Sequence, residues 1–124
     1  MNSKLALSLA SSCLLGASFL VGSVHATTRL SPTKFSAVAK ITKAKCLSCH
    51  NAARHPEGVD LSSYASLMKG GEKGPLVMPG QPEKSALLLY VDGTKQPRMP
   101  FRQAPLSKGE IAAIRSWIKA GAKP

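Results

Sequence analysis

The sequence predicts a small all-α domain of about four short helices joined by long loops. Three observations lead there. Apolar residues recur at helical spacing in four separate stretches, each with start or stop residues of its own. No stretch alternates apolar and polar residues in the rhythm of a strand, and no internal repeat is present. Segments punctuated by glycine and proline separate the four stretches.

The chain begins with Lys4 as its only early charge, followed by an apolar run from Leu5 to Val21 and small residues around Ala26. Residues 1–26 read as a secretory signal peptide cut after about Ala26, which leaves residues 27–124 as a single domain. An uncleaved membrane anchor is the alternative; the run is short for a span and interrupted by serines. Cys13 lies inside the run, lacks the leucine of a lipoprotein box, and leaves with the leader.

The first helix follows Ser31 as N-cap and Pro32 at the first helical position. Phe35, Val38 and Ile41, with Ala39 and Thr42, form its apolar stripe, and Lys34, Lys40, Lys43 and Lys45 lie mostly off it. Residues 51–59 read as a loop. A second helix is expected over Leu61 to Lys69, with Leu61, Tyr64, Leu67 and Met68 inward and Gly70-Gly71 as its stop. After a loop through Met78-Pro79-Gly80, a third helix is expected from Pro82 to Val91, closed by Asp92-Gly93. Thr94 to Pro105 forms a third loop. Ser107 and Glu110 make a capping box for the last helix, Leu106 can staple against Ile111, and Ile111, Ile114, Trp117 and Ile118 form its buried face.

The chemistry sits where the first helix ends, in Cys46-Leu47-Ser48-Cys49-His50. Two thiols three positions apart with a histidine directly after them match a c-type haem attachment site. Each thiol can form a thioether with one haem vinyl group, and His50 then meets the iron from the proximal side. A thioredoxin-like pair expects a βαβ setting, which is not visible here. A zinc site needs two more ligands; His55 is a candidate third, and no second cysteine pair completes a tetrahedron. Context favours haem. Residues 27–124 are few for a self-sufficient core, and no cysteine outside the motif remains for a disulfide. Long loops in so small a domain make sense when they wrap a cofactor that supplies apolar mass.

What occupies the other side of the iron decides much of the function. A thioether there favours Fe(II), raises the potential and blocks outside ligands, whereas an open position admits gases. Three residues are candidates: Met99, followed by the stiff Pro100; Met78, also before a proline; and His55. Met99 lies far enough along the chain to come round to the opposite face, but composition alone does not separate the two methionines.

The net charge of +11 becomes +10 without Lys4. Export, few aromatics and no recognisable nucleic-acid motif argue against a nucleic-acid partner. Such a charge suits docking onto acidic proteins, with contact to an anionic membrane surface as the other use.

Beyond the motif, a longer series of stretches can be read in order. They are Val59-Asp60-Leu61-Ser62-Ser63, Leu67-Met68-Lys69-Gly70-Gly71, Gly74-Pro75, Pro79-Gly80-Gln81-Pro82-Glu83-Lys84-Ser85 and Arg98-Met99-Pro100. Leu106-Ser107-Lys108-Gly109-Glu110-Ile111 and Trp117-Ile118-Lys119-Ala120-Gly121-Ala122 complete them. From Cys46 to Ala122 the chain thereby resembles the planctomycete-type cytochrome c domain. The resemblance implies the cytochrome c fold around one covalently bound haem c, held through Cys46, Cys49 and His50. It also implies Met99 as the distal ligand, so that His50 and Met99 are the iron ligands. Asn51 departs from the pattern, standing where such domains commonly have glycine. The expected function is a monomeric periplasmic carrier of single electrons between redox proteins with acidic docking surfaces, and not an enzyme. A haem-based gas sensor, or a docked subunit of a periplasmic oxidoreductase, is the competing reading.

Overall fold

The computed structural model describes residues 33–124. The expected signal peptide, its cleavage after Ala26 and the Ser31-Pro32 helix start lie outside the described residues. Those residues form four α-helices and no strand.

Helix α1 spans Phe35–Lys45 and buries Val38 and Thr42. It starts three residues later than Pro32, because Lys34 is extended (ψ 153°) and its side chain caps nothing. The Phe35 ring packs edge-on against Tyr64 (centroids 5.2 Å apart) and tilted against Trp117 (5.6 Å), which sets where the chain turns into the helix.

Helix α2 is Tyr64–Lys69, shorter than expected. Asp60 accepts the Ser62 N–H (2.9 Å), closing a turn that keeps residues 60–62 out of the helix. Ser63 then caps it, accepting the Ser66 N–H (3.0 Å) while the Ser66 hydroxyl accepts the Ser63 N–H (3.1 Å). Leu61 is buried without being helical.

The helix expected from Pro82 is two pieces: one 3₁₀ turn, Pro82–Lys84, and α3, Ala86–Val91. Ser85 makes the break. It is wholly buried, and its Oγ accepts the Met78 N–H (2.9 Å) and donates to the Gln81 carbonyl (2.9 Å). A buried hydroxyl must satisfy itself, and here it does so by pinning two loop strands together rather than continuing a helix.

Helix α4, Lys108–Lys119, has the expected capping box. Ser107 N–H donates to Glu110 Oε2 (2.7 Å), and Glu110 N–H donates to Ser107 Oγ (3.2 Å). Its buried face of Ile114, Trp117 and Ile118 packs on α1 and α3. Arg115 ties it laterally to Glu83 and to Asp92 (3.6 Å). Two polar tips lock the C-terminal tail: Trp117 Nε1 donates to the Lys123 carbonyl (2.7 Å) and Tyr64 Oη to the Ala122 carbonyl (3.0 Å). Truncating Trp117 to alanine would cost about 3–5 kcal/mol from cavity formation alone.

Candidate functional site

The helices leave a hollow of about 400 Å³ between the end of α1, the loop after it, α3 and the α3–α4 loop. Cys46, Cys49, His50 and Met99 all line it. Leu61, Leu76, Leu87 and Val91 supply its buried apolar floor.

Backbone geometry delivers the two thiols. Cys46 caps α1, its N–H returning to the Thr42 carbonyl (2.8 Å). The Cys49 and His50 N–H groups both return to the Cys46 carbonyl (3.0 and 2.9 Å), so the motif winds on as one tight turn. Asn51 finishes that turn from both sides. Its Nδ2 donates to the Leu47 carbonyl (2.7 Å), while its Oδ1 accepts the N–H groups of Ala53 (2.9 Å) and Arg54 (2.8 Å).

His50 Nδ1 lies 3.1 Å from the Val59 carbonyl oxygen. A carbonyl can only accept, so the proton sits on Nδ1 and the Nε2 lone pair is left for a ligand. This is the arrangement that orients a metal-binding imidazole. The Leu61 N–H donates to the His50 carbonyl (3.0 Å), so the loop returning from residue 59 holds both ring and backbone.

Met99 is half-buried, and its N–H donates to the Tyr90 carbonyl (2.9 Å), which hangs the α3–α4 loop from the end of α3. The other two distal candidates are elsewhere. Met78 does not line the cavity; its backbone is engaged with Ser85. His55 is exposed and also outside it. The geometry thus makes a distinction between the methionines that composition cannot.

Burial pushes the Cys46 thiol up to about 11, with the Glu110 carboxylate adding to the effect. A thiol so disposed is the opposite of the low-pKa thiolate that a disulfide-exchange pair needs. Both cysteines are free. Among the described residues no three His, Cys, Asp or Glu side chains come together as a metal cage. The donor set of two thiols, one imidazole with a free Nε2 and one thioether, over an apolar floor, fits a covalently attached haem.

Sequence reasoning missed the Val59 and Tyr90 carbonyls, which are backbone atoms with no residue signature. Asn51 was noticed only as a departure from the family pattern; the three hydrogen bonds by which its side chain finishes the turn were not foreseen.

Residues 46–101, a little under half of the chain, match the family model described as planctomycete cytochrome c. The match includes the Cys46–His50 motif and Met99; the stretches from Leu106 onward lie beyond it. Comparison with curated proteins and with solved structures returned no match.

Proposed function

We propose that this chain is a monohaem c-type cytochrome that carries single electrons between redox partners outside the cytoplasm. One observation carries the reading: Cys46, Cys49, His50 and Met99 converge on one apolar cavity, with His50 Nδ1 already committed to a carbonyl. When bound, a haem supplies an iron that changes by one electron between Fe(III) and Fe(II). Cys46 and Cys49 would hold it covalently, and His50 Nε2 and the Met99 thioether would be the side-chain ligands offered to its iron. With both ligands supplied by the chain, gases would be kept from the iron, which favours electron transfer over sensing. Residues 1–26 direct export and are removed, which matches the compartment in which c-type haem is attached.

The intact mass of the exported protein tests these statements together. It should equal residues 27–124 plus one haem, resist acid–acetone extraction, and show no spectral change when the reduced form meets carbon monoxide. Extractable haem would refute the thioethers. Ready binding of carbon monoxide would move the gas-sensor reading ahead.

A further inference from the structure

A second, smaller cavity of about 150 Å³ adjoins the main one. The two share Glu57, Val59, Lys73, Leu76 and Tyr90 in their linings, whereas no residue of the Cys46–His50 motif borders the second. It therefore adjoins a wall of the main cavity that the thiols do not form. Gly71, Gly74, Pro75, Ala86 and Lys95 complete its lining.

The titratable side chains of that lining are Glu57, Lys73, Tyr90 and Lys95. Lys73 sits in the turn closed by Gly71 and Gly74, each donating its N–H to the other's carbonyl (3.0 Å). Its ammonium meets the Glu57 carboxylate (2.8 Å), but both side chains are more than half exposed, so the pair is weak. The Lys73 ammonium is held above its ordinary value, first by Glu57 and to a smaller extent by Tyr90, which places the phenol near it. Lys95 is tied to the last turn of α3 through its N–H on the Leu89 carbonyl (2.8 Å), and its ammonium stands 6.0 Å from the Tyr90 ring centroid. Among the described residues Lys95 has no carboxylate partner. Tyr90 is half-buried, and a phenol brings an O–H donor to apolar surroundings. Two cations against one carboxylate leave this small cavity one negative charge short.

We propose that the second cavity is a carboxylate site, in which Lys95 and the Tyr90 hydroxyl hold one propionate of a haem bound in the main cavity. A haem carries its two propionates on the ring edge opposite its vinyl groups. With the vinyl edge at Cys46 and Cys49, the propionates belong at walls those thiols do not form. Lys45 and Arg54, the other cations lining the main cavity, stand within five residues of a thiol in the sequence, on the vinyl side. The inference rests on the electron-carrier reading and adds to it a means of setting the potential. An ionised carboxylate beside the ring favours Fe(III), and the cations that hold it offset that preference.

The test is NMR of the reduced holoprotein. Propionate methylene protons should show Overhauser contacts to the Tyr90 ring and the Lys95 side chain. Tyr90→Phe keeps the ring and the carbonyl that holds Met99, yet it should raise the pH midpoint of the propionate by about one pH unit, and Lys95→Gln should do the same. Glu57→Gln should lower the midpoint, because Lys73 is then released to the propionate. Lys119→Gln, an equal loss of charge on α4 outside both linings, should leave it unchanged. Contacts only to Arg54 or Lys45, or a midpoint indifferent to Tyr90→Phe and Lys95→Gln, overturn the proposal. So does a change in Lys119→Gln as large as that in Lys95→Gln, since diffuse charge would then suffice. Redox cycling with hexacyanoferrate separates the two readings. A holoprotein that cycles but places its propionates elsewhere keeps the carrier reading and loses the site. One that shows the contacts and does not cycle keeps the site and loses the carrier reading. A chain that takes up no haem loses both.

Discussion

Met99→Ala and Met78→Ala form a matched pair that separates ligation from packing. Both methionines are half-buried, so each truncation falls below the 2–5 kcal/mol of a fully buried methionine, at about 1–2 kcal/mol. Both also use their backbone N–H, Met99 toward the Tyr90 carbonyl and Met78 toward Ser85 Oγ, each at 2.9 Å. Alanine keeps those bonds, so neither loop loses its tether. Resistance to denaturant should therefore fall by similar amounts in the two variants, apart from any strength the iron–sulfur bond adds. The spectra should differ sharply. Met99→Ala should abolish the weak near-infrared sulfur-to-iron band of the oxidised protein and open the reduced protein to carbon monoxide. It should also lower the reduction potential by on the order of 0.1 V, within the roughly 0.8 V that axial ligands span. Met78→Ala should leave all three unchanged. If Met78→Ala removes the band and Met99→Ala keeps it, the assignment from the cavity lining is wrong. If no band exists in the parent protein, the distal ligand is not a methionine.

Gly71→Ala should disturb the site from a distance. A Cβ there would stand 2.7 Å from the Glu57 carbonyl and 2.8 Å from Val59 Cγ2, and Val59 carries the carbonyl that holds His50. A loss of about 1–3 kcal/mol in thermal stability and lower haem incorporation are expected, whereas Gly109→Ala, with only Ser107 Oγ at 3.9 Å, should stabilise α4 by about 0.5–1 kcal/mol. Equal behaviour of the two variants would refute the packing argument. Glu110 sets an acid limit: the Ser107 N–H and hydroxyl hold its carboxyl below its ordinary 4.5. A carboxyl depressed in the folded state stabilises it above the unfolded value, and that contribution is lost as pH falls through the lower, folded value. Melting temperature followed from pH 6 to 3 should therefore fall more steeply in the parent than in Glu110→Gln; parallel curves would show that the capping box carries no pH dependence.

How much of this could be read from the sequence varies with the kind of signal involved. Helix α4 was readable nearly to the residue, because Ser107, Glu110, Ile114, Trp117 and Ile118 state cap and stripe locally, with every cause inside the helix. The starts of α2 and α3 were misjudged for one reason: a polar side chain chose a loop partner over the helix. Asp60 bonded Ser62, and Ser85 bonded Met78 and Gln81, bonds that hydrophobic spacing does not reveal. The first helix began late because Phe35 answers to Tyr64 and Trp117, which are distant in sequence.

The candidate site divides along the same line. Cys46, Cys49 and His50 could be singled out from their spacing alone, and the structure brings all three to one cavity. The two methionines were not separable by composition, since each precedes a proline in a loop; only the placement of α3 between those loops puts Met99 on the cavity and Met78 against Ser85. The orientation of His50 was out of reach altogether, because the Val59 carbonyl that sets it could belong to any residue. What makes that carbonyl available is the fold behind it. The Glu57 carbonyl accepts the Glu72 N–H (2.8 Å), and Gly71 packs against Val59 without a Cβ, so the strand of loop facing His50 is held from its far side. In a domain this small the helices supply walls, and the backbone of the loops supplies the orientation. Part of what holds the candidate site in shape thus lies behind its lining, which is why Gly71, and not only His50, belongs in any mutational study of it.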